Sequence, residues 1–189
     1  LRSERKRNYG FKPAPLNPIP IGMSCERWAV DILGPLPVTT SGNKYILVFQ
    51  EYRTKWVEGC ALATTDSKQI AKAFFELVVT RYGAPHTILS DRGANFLSTF
   101  MQEIYSLMNV TKLNTSSYRP QTDGMVDRMN GTLTQALTMY TNRYQDNWDS
   151  ILPGILYGFR TSVSASTNES TYLLLFGRHP RLPLDVSLL

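Results

Sequence analysis

Cysteine and histidine are scarce in this chain. Cys25 and Cys60 are its only thiols, and His86 and His179 its only imidazoles. Structural zinc favours closely paired ligands, so four scattered residues make a poor zinc site. The two cysteines lie far apart without CxxC spacing and read as reduced, buried thiols. No run of about 18 apolar residues exists, so no membrane span is indicated. Internal repeats and low-complexity segments are missing too. The opening LRSERKRNYG is basic with no apolar stretch behind it, which excludes a secretory signal. It has no initiator Met, and the chain reads as a fragment of a longer protein.

What is present suits a folded domain. The 189 residues are 42% hydrophobic and 19% charged, far from the core-poor, highly charged signature of disorder. The formal net charge is +5 and the pI about 9.3. A basic excess favours polyanion partners through counterion release, although many proteins without such partners are equally basic. Arg2, Arg5, Lys6 and Arg7 crowd one end, and Arg178 and Arg181 mark the other. Solvated tails are the plain alternative for both.

Residues 1–24 carry Pro13, Pro15, Pro18 and Pro20, spaced too closely for a helix or a central strand, and read as an extended basic lead-in. Residues 25–178 read as the folded core, and 179–189 as the start of a C-terminal linker. Within the core, Trp28 to Leu33, Lys44 to Gln50 and Trp56 to Ala63 read as three strands in an antiparallel meander. A helix starts at Thr65-Asp66-Ser67, carries Ile70, Ala73, Phe74, Leu77 and Val78 on one face, and stops at Gly83-Ala84-Pro85. A short strand follows at Thr87 to Leu89, then a helix around Ser98 to Met108 and a fifth strand near Lys112 to Asn114. A long helix is expected from Thr122 or Asp123 to about Tyr144. Two more helices are expected near Trp148 to Thr161 and Ser170 to Phe176. This order predicts an α/β fold, a five-stranded mixed sheet flanked by helices.

Three acids stand out. Asp31 sits mid-strand in WAVDILGP, where its side chain must face solvent or a site. Asp91 ends an apolar strand in ILSDRGANF, and α/β sheets place their chemistry at strand C-terminal ends. Asp127 lies in PQTDGMVDRMNGTL, within the predicted long helix; residues 92–126, 35 in number, separate it from Asp91. Three converging carboxylates cannot all stay ionised without a cation. Mg²⁺ or Mn²⁺ suits an all-carboxylate site completed by substrate phosphate, and two such ions serve in-line displacement at phosphorus. Singly, each acid has a plainer reading: Asp91 as a turn former, Asp127 as a helix-dipole partner, Asp31 paired with an Arg.

The stretches WAVDILGPLP, KYILVFQEYRTKWVEG, TILSDRGANF, YRPQTDGMVDRMNGTL and FGRHPRLPLD, in that order, resemble the integrase catalytic core of gypsy-like LTR retrotransposons and, more distantly, of retroviruses. They span about residues 25–185. The resemblance implies a ribonuclease-H-like fold and a polynucleotidyl transferase that performs DNA 3′-end processing and strand transfer. It implies Asp31, Asp91 and Asp127 as catalytic and metal-binding residues for Mg²⁺ or Mn²⁺, as two ions. Tyr118, Gln121, Asp123 and Gly124 match the family's mobile active-site loop near the DNA end. Asn130 shares the helix face of Asp127 and could approach DNA; Arg128 points elsewhere, toward a phosphate or a surface salt bridge. Trp28, Trp56 and Trp148 read as core or interface groups. The implied partners are element-end and target DNA and a homodimer or higher oligomer, with no membrane. A zinc module and a C-terminal DNA- or chromatin-binding domain are expected outside the fragment. A nuclear location follows from the substrate, with a cytoplasmic particle before import.

The chain departs from that family at three places. Asp127 stands where the family has Glu. It is one methylene shorter, which predicts reduced or absent turnover because Mg²⁺ tolerates displaced ligands poorly. A domesticated or decayed core that binds DNA or protein without catalysis is therefore the alternative. Glu51 replaces the usual Asp, at a position that is not an expected ligand. Glu169 and Thr171 stand where Gly and Pro are usual, which alters a helix start.

Overall fold

The computed structural model describes residues 23–91, 93–114, 120–165 and 167–182, with only the backbone for 120–124. Three strands open the fold: β1 (Arg27–Leu33), β2 (Tyr45–Glu51) and β3 (Val57–Leu62). They pair antiparallel, Asp31 opposite Val48 and Val48 opposite Gly59. Further along the chain, β4 (Thr87–Ser90) joins β1 in parallel and β5 (Thr111–Asn114) joins β4 in parallel. The resulting sheet has the order β3-β2-β1-β4-β5. The expected meander and five-stranded mixed sheet are both present.

Alternation along the strands divides the core in two. Trp28, Val30, Leu47 and Phe49 face one side, where they meet Ile70, Phe74, Val78, Met101 and Tyr105. That layer is α1 (Ser67–Phe74), its π-helical continuation (Phe75–Val79) and α4 (Thr99–Leu107). Ile46, Val48 and Val57 face the other side, against Leu133, Leu137, Trp148, Leu152 and Leu156. These come from α5 (Pro120–Tyr140) and α6 (Trp148–Thr161). Fully burying side chains of this size contributes about 1.5–3 kcal/mol each. Trp28, Trp56 and Trp148 are all buried, as expected of core groups.

Local chemistry explains most boundaries. Asp66 caps α1, accepting from the backbone N–H groups of Lys68 and Gln69, both at 3.1 Å. The helix runs on through a π-helical turn (Phe75–Val79) and a last turn, α2 (Thr80–Tyr82). The left-handed Gly83, φ 86°, then ends it. The π turn and the short α3 (Ala94–Leu97) escaped the sequence reading. The long helix α5 is displaced from its expected bounds. Pro120 is its first residue, a position where a missing N–H costs nothing. It ends at Tyr140, well before Tyr144, because Asn142 folds the next segment into a turn: its Oδ1 accepts from Tyr144 N at 3.1 Å and Asp146 N at 3.3 Å. The short α7 (Thr171–Phe176) keeps a proper start despite its unusual sequence, because Ser170 Oγ accepts from Leu173 N at 3.2 Å.

Two buried carboxylates organise the β2–β3 end. Glu51 accepts from Thr54 N at 2.5 Å and Thr54 Oγ1 at 2.6 Å, which closes the turn between those strands. Glu58 accepts from Trp56 Nε1, Tyr82 OH, Arg81 and Arg160, joining β3 to the α2 turn and to α6. No helix among the described residues is long and apolar enough to cross a membrane.

Candidate active site

The parallel pairing of β1 with β4 sets the first two acids side by side. Trp28 is level with Ile88 and Ala29 with Leu89, and the same register carried on brings Asp31 level with Asp91. Asp31 shares its face of β1 with Ala29, on the side covered by α5. Met125 and Val126 of α5 pack on Ala29 and Leu89, and Asp127 follows them directly on the same helix. Asp91 and Asp127 are exposed and Asp31 is half-buried.

The charges of Asp91 and Asp127 both act on Asp31. Burial raises the carboxyl of Asp31 above its ordinary range, and the charges of Asp91 and Asp127 raise it further. Hydrogen bonds from Ile32 N, 2.8 Å to Oδ1, and from Asn130 Nδ2, 2.6 Å to Oδ2, pull the other way without prevailing. Asn130 is thus turned to Asp31, and the residue is 9% exposed. Its own Oδ1 is buried without a hydrogen-bond partner among the described residues. Gly93 N donates to Asp91 Oδ1 at 2.9 Å, and a Cβ on Gly93 would stand only 2.9 Å from that same oxygen. A side chain there would push the carboxylate aside.

Lys112, in β5, was not anticipated. Its Nζ donates to Leu113 O at 3.1 Å and Asn114 Oδ1 at 2.9 Å. Burial lowers its ammonium to about 8, against the opposing pull of the Asp91 charge. Only spatial pairing brings it near Asp91; the short strand TKLN carries no motif to flag it. Arg128 is exposed. Gln121, Asp123 and Gly124 lie on the first turns of α5, where the backbone alone is described, and Tyr118 lies outside the described residues.

The donor set suits a hard divalent cation: carboxylate oxygens from three elements, with an amide oxygen left unpaired beside them. Among the described residues, though, no three His, Cys, Asp or Glu side chains converge closely enough to form a ready ion cage. Mg²⁺ commonly binds through one or two carboxylates and keeps waters or substrate phosphates as its other ligands. The open arrangement fits that mode and does not fit a closed structural site.

The family model for the integrase core domain matches residues 23–120, more than half of the chain. The chain belongs to the integrase core domain family. It is 30% identical over 158 residues to the retrovirus-related Pol polyprotein from transposon 412 of Drosophila melanogaster, covering 84% of this chain and 13% of that protein. It is 33% identical over 154 residues to the Gag-Pol polyprotein of feline leukemia virus, covering 81% and 9%. The chain therefore spans only a small part of the polyproteins it matches.

Solved structures agree on the fold of this integrase core. A chain of the simian T-cell lymphotropic virus intasome, in complex with the PP2A regulatory subunit B56 gamma, superposes with a TM-score of 0.72 at 21% identity, covering 89% of this chain and 60% of that one. The catalytic core domain of BIV integrase gives 0.63 at 20% identity, covering 79% and 93%. The HTLV-2 integrase catalytic core domain in complex with magnesium, in a trimeric form, gives 0.61 at 19% identity, covering 78% and 94%. The fold is ribonuclease-H-like, as the motif order implies.

Proposed function

We propose that this chain is the catalytic core of a gypsy-like retrotransposon integrase, which trims DNA 3′ ends and joins them to target DNA. The single observation that carries the reading is the placement of Asp31 and Asp91 on paired parallel strands beneath the helix that carries Asp127. Acids from β1, from the end of β4 and from α5, close enough for the charges of two to act on the third, suit a site that holds positive charge. Asp31 and Asp91 would hold Mg²⁺ or Mn²⁺, with Asp127 as the third ligand. Two such ions, when bound, lower the pKa of an attacking oxygen and neutralise the leaving one. In processing, a water oxygen attacks phosphorus and the bond to a 3′ oxygen breaks. In joining, that freed 3′ oxygen attacks a phosphorus of target DNA, and the bond from that phosphorus to the target strand's own 3′ oxygen breaks. Asn130 holds Asp31 in orientation, while Gly93 N and the close approach of Gly93 hold Asp91. The loop residues Tyr118, Gln121, Asp123 and Gly124 are proposed to lie along the DNA end, and Arg128 to meet a phosphate.

Two observations favour a second reading, a decayed or domesticated core that binds without turnover. The third acid is the short Asp127, and the described acids form no ready cage. A strand-transfer assay on a DNA end, with Mg²⁺ and with Mn²⁺, separates the two. Joining by the chain as it stands, abolished in Asp91→Asn, supports the enzyme. An inert parent rescued by Asp127→Glu supports decay at that one position. Element-end and target DNA as substrates, a homodimer or higher oligomer, and action in the nucleus complete the proposal.

A further inference from the structure

A cavity of about 460 Å³ opens beside α5, between the β2–β3 turn and α6. One wall is apolar, from Met125, Met129 and Phe159; Lys55 and Arg128 stand among the other lining residues, as does Gln50. Gln50 is 6% exposed, and its Oε1 has no hydrogen-bond partner among the described residues. Its Nε2 is spent on Lys55 O at 3.4 Å. Buried acceptors without donors are rare in folded proteins, and this one belongs to a residue lining a cavity.

The cations are held ready as well. Lys55 has a left-handed backbone, φ 64°, unusual for a residue with a Cβ. Its Nζ rests on Tyr52 O at 2.7 Å, on Met125 Sδ at 3.2 Å and over the Tyr52 ring. Neither Lys55 nor Arg128 has a carboxylate ion-pair partner among the described residues. The cavity thus offers two cations, an apolar wall and one buried acceptor that needs a donor.

We propose that this cavity takes one unstacked nucleotide of a DNA strand, its phosphate between Lys55 and Arg128 and its base against Met125, Met129 and Phe159. A base N–H would donate to Gln50 Oε1. All four bases carry an N–H on their pairing edge, so the pocket is indifferent to sequence. An acidic peptide would satisfy the cations but leave the flat apolar wall unused. Arg128 lines the cavity from α5, the helix that also carries Asp127, so the cavity and the third acid share one element. The inference rests on the DNA-joining reading and places a second contact beside its site.

The test compares a blunt duplex with one carrying unpaired 5′ nucleotides, in binding to the chain by fluorescence anisotropy. The overhang should tighten binding about fivefold, within the range known for base stacking, and an abasic overhang, which keeps only the phosphate contacts, should lose most of that gain. Lys55→Met and Gln50→Leu should each lose it, with thermal melts checking that both variants fold. Independently, 5-iodouracil in the overhang of the unaltered chain should photocrosslink to peptides containing Met125, Met129 or Phe159. Crosslinks elsewhere, or an overhang gain undiminished by the abasic units, would overturn the proposal. So would an acidic peptide that displaces the crosslinked strand as well as an oligonucleotide of equal charge. Strand transfer is measured on the same samples. Correct crosslinks without joining uphold the cavity while retiring the catalytic reading, and joining with crosslinks elsewhere does the reverse.

Discussion

Asn130 donates a 2.6 Å hydrogen bond to Asp31 across 99 positions of sequence, from the long helix to the first strand. With the bond from Ile32 N to the other oxygen, it fixes the orientation of a half-buried carboxylate. Groups that orient metal ligands typically change metal affinity or activity by about 10–100-fold when removed. Asn130→Ala should therefore weaken the response to Mn²⁺ by about that factor, read as the midpoint of a metal titration followed by thermal shift. An unchanged midpoint would remove Asn130 from any role in setting Asp31.

Repulsion at the acids should be visible as stability. A carboxyl whose folded pKa is raised takes stability away as pH climbs from its unfolded value to its folded one, and the loss is complete above both. Asp31 is such a group, and Asp127 is one of its causes. Asp127→Asn should melt about 2 °C higher than the parent at pH 7 without metal. At pH 4 and below the gap should close, since the raised carboxyl of Asp31 then takes up its proton and the repulsion is gone. Millimolar Mg²⁺ should narrow it at pH 7 by stabilising the parent. Melting curves at the two pH values, with and without Mg²⁺, check all three signs.

Glu58 is 2% exposed and lies 2.7 Å from Arg160 Nη2 and 3.2 Å from Arg81 Nη1. Breaking a buried ion pair on one side typically costs about 3–5 kcal/mol, because the other charge stays behind. Arg160 also donates from Nε to Val57 O at 2.7 Å, so it cannot simply swing into water. Glu58→Gln should cost about 3 kcal/mol. Urea unfolding would show it as a lower midpoint with an unchanged slope.

Lys112 should bend the pH dependence on the alkaline side. Its folded-state ammonium is lowered to about 8 from an ordinary 10.5. The unfolded chain therefore holds more protons between those values, and stability from this residue rises as pH climbs through them. Cys25 and Cys60, both pushed up to about 11 by burial, act oppositely over the same range. The difference between the parent and Lys112→Met isolates the lysine. The stability advantage of Lys112→Met at pH 7 should shrink by pH 9.5, measured as urea midpoints.

Much of the fold was legible because local signals agreed with it. Asp66 was a readable cap, Gly83 a readable stop, and the alternation of Trp28, Val30, Leu47 and Phe49 a readable strand pattern. The misses share one cause: backbone polar groups satisfied in ways that composition does not announce. Pro120 starts α5 earlier than the apolar period suggests, the Asn142 turn ends it sooner, and the π turn at Phe75–Val79 leaves the periodicity of apolar residues nearly intact.

The chain's own sequence determined which residues are acids, that they fall on a strand, at a strand's end and in a helix, and that an integrase core is the family they belong to. It could not determine that Asn130 spends its amide on Asp31, that Lys112 sits beside Asp91, or that Glu58 gathers two arginines. Those pairings depend on strand register and on helices packed across a sheet. Hydrogen bonds and charges act over a few ångströms of space, whatever the distance along the chain.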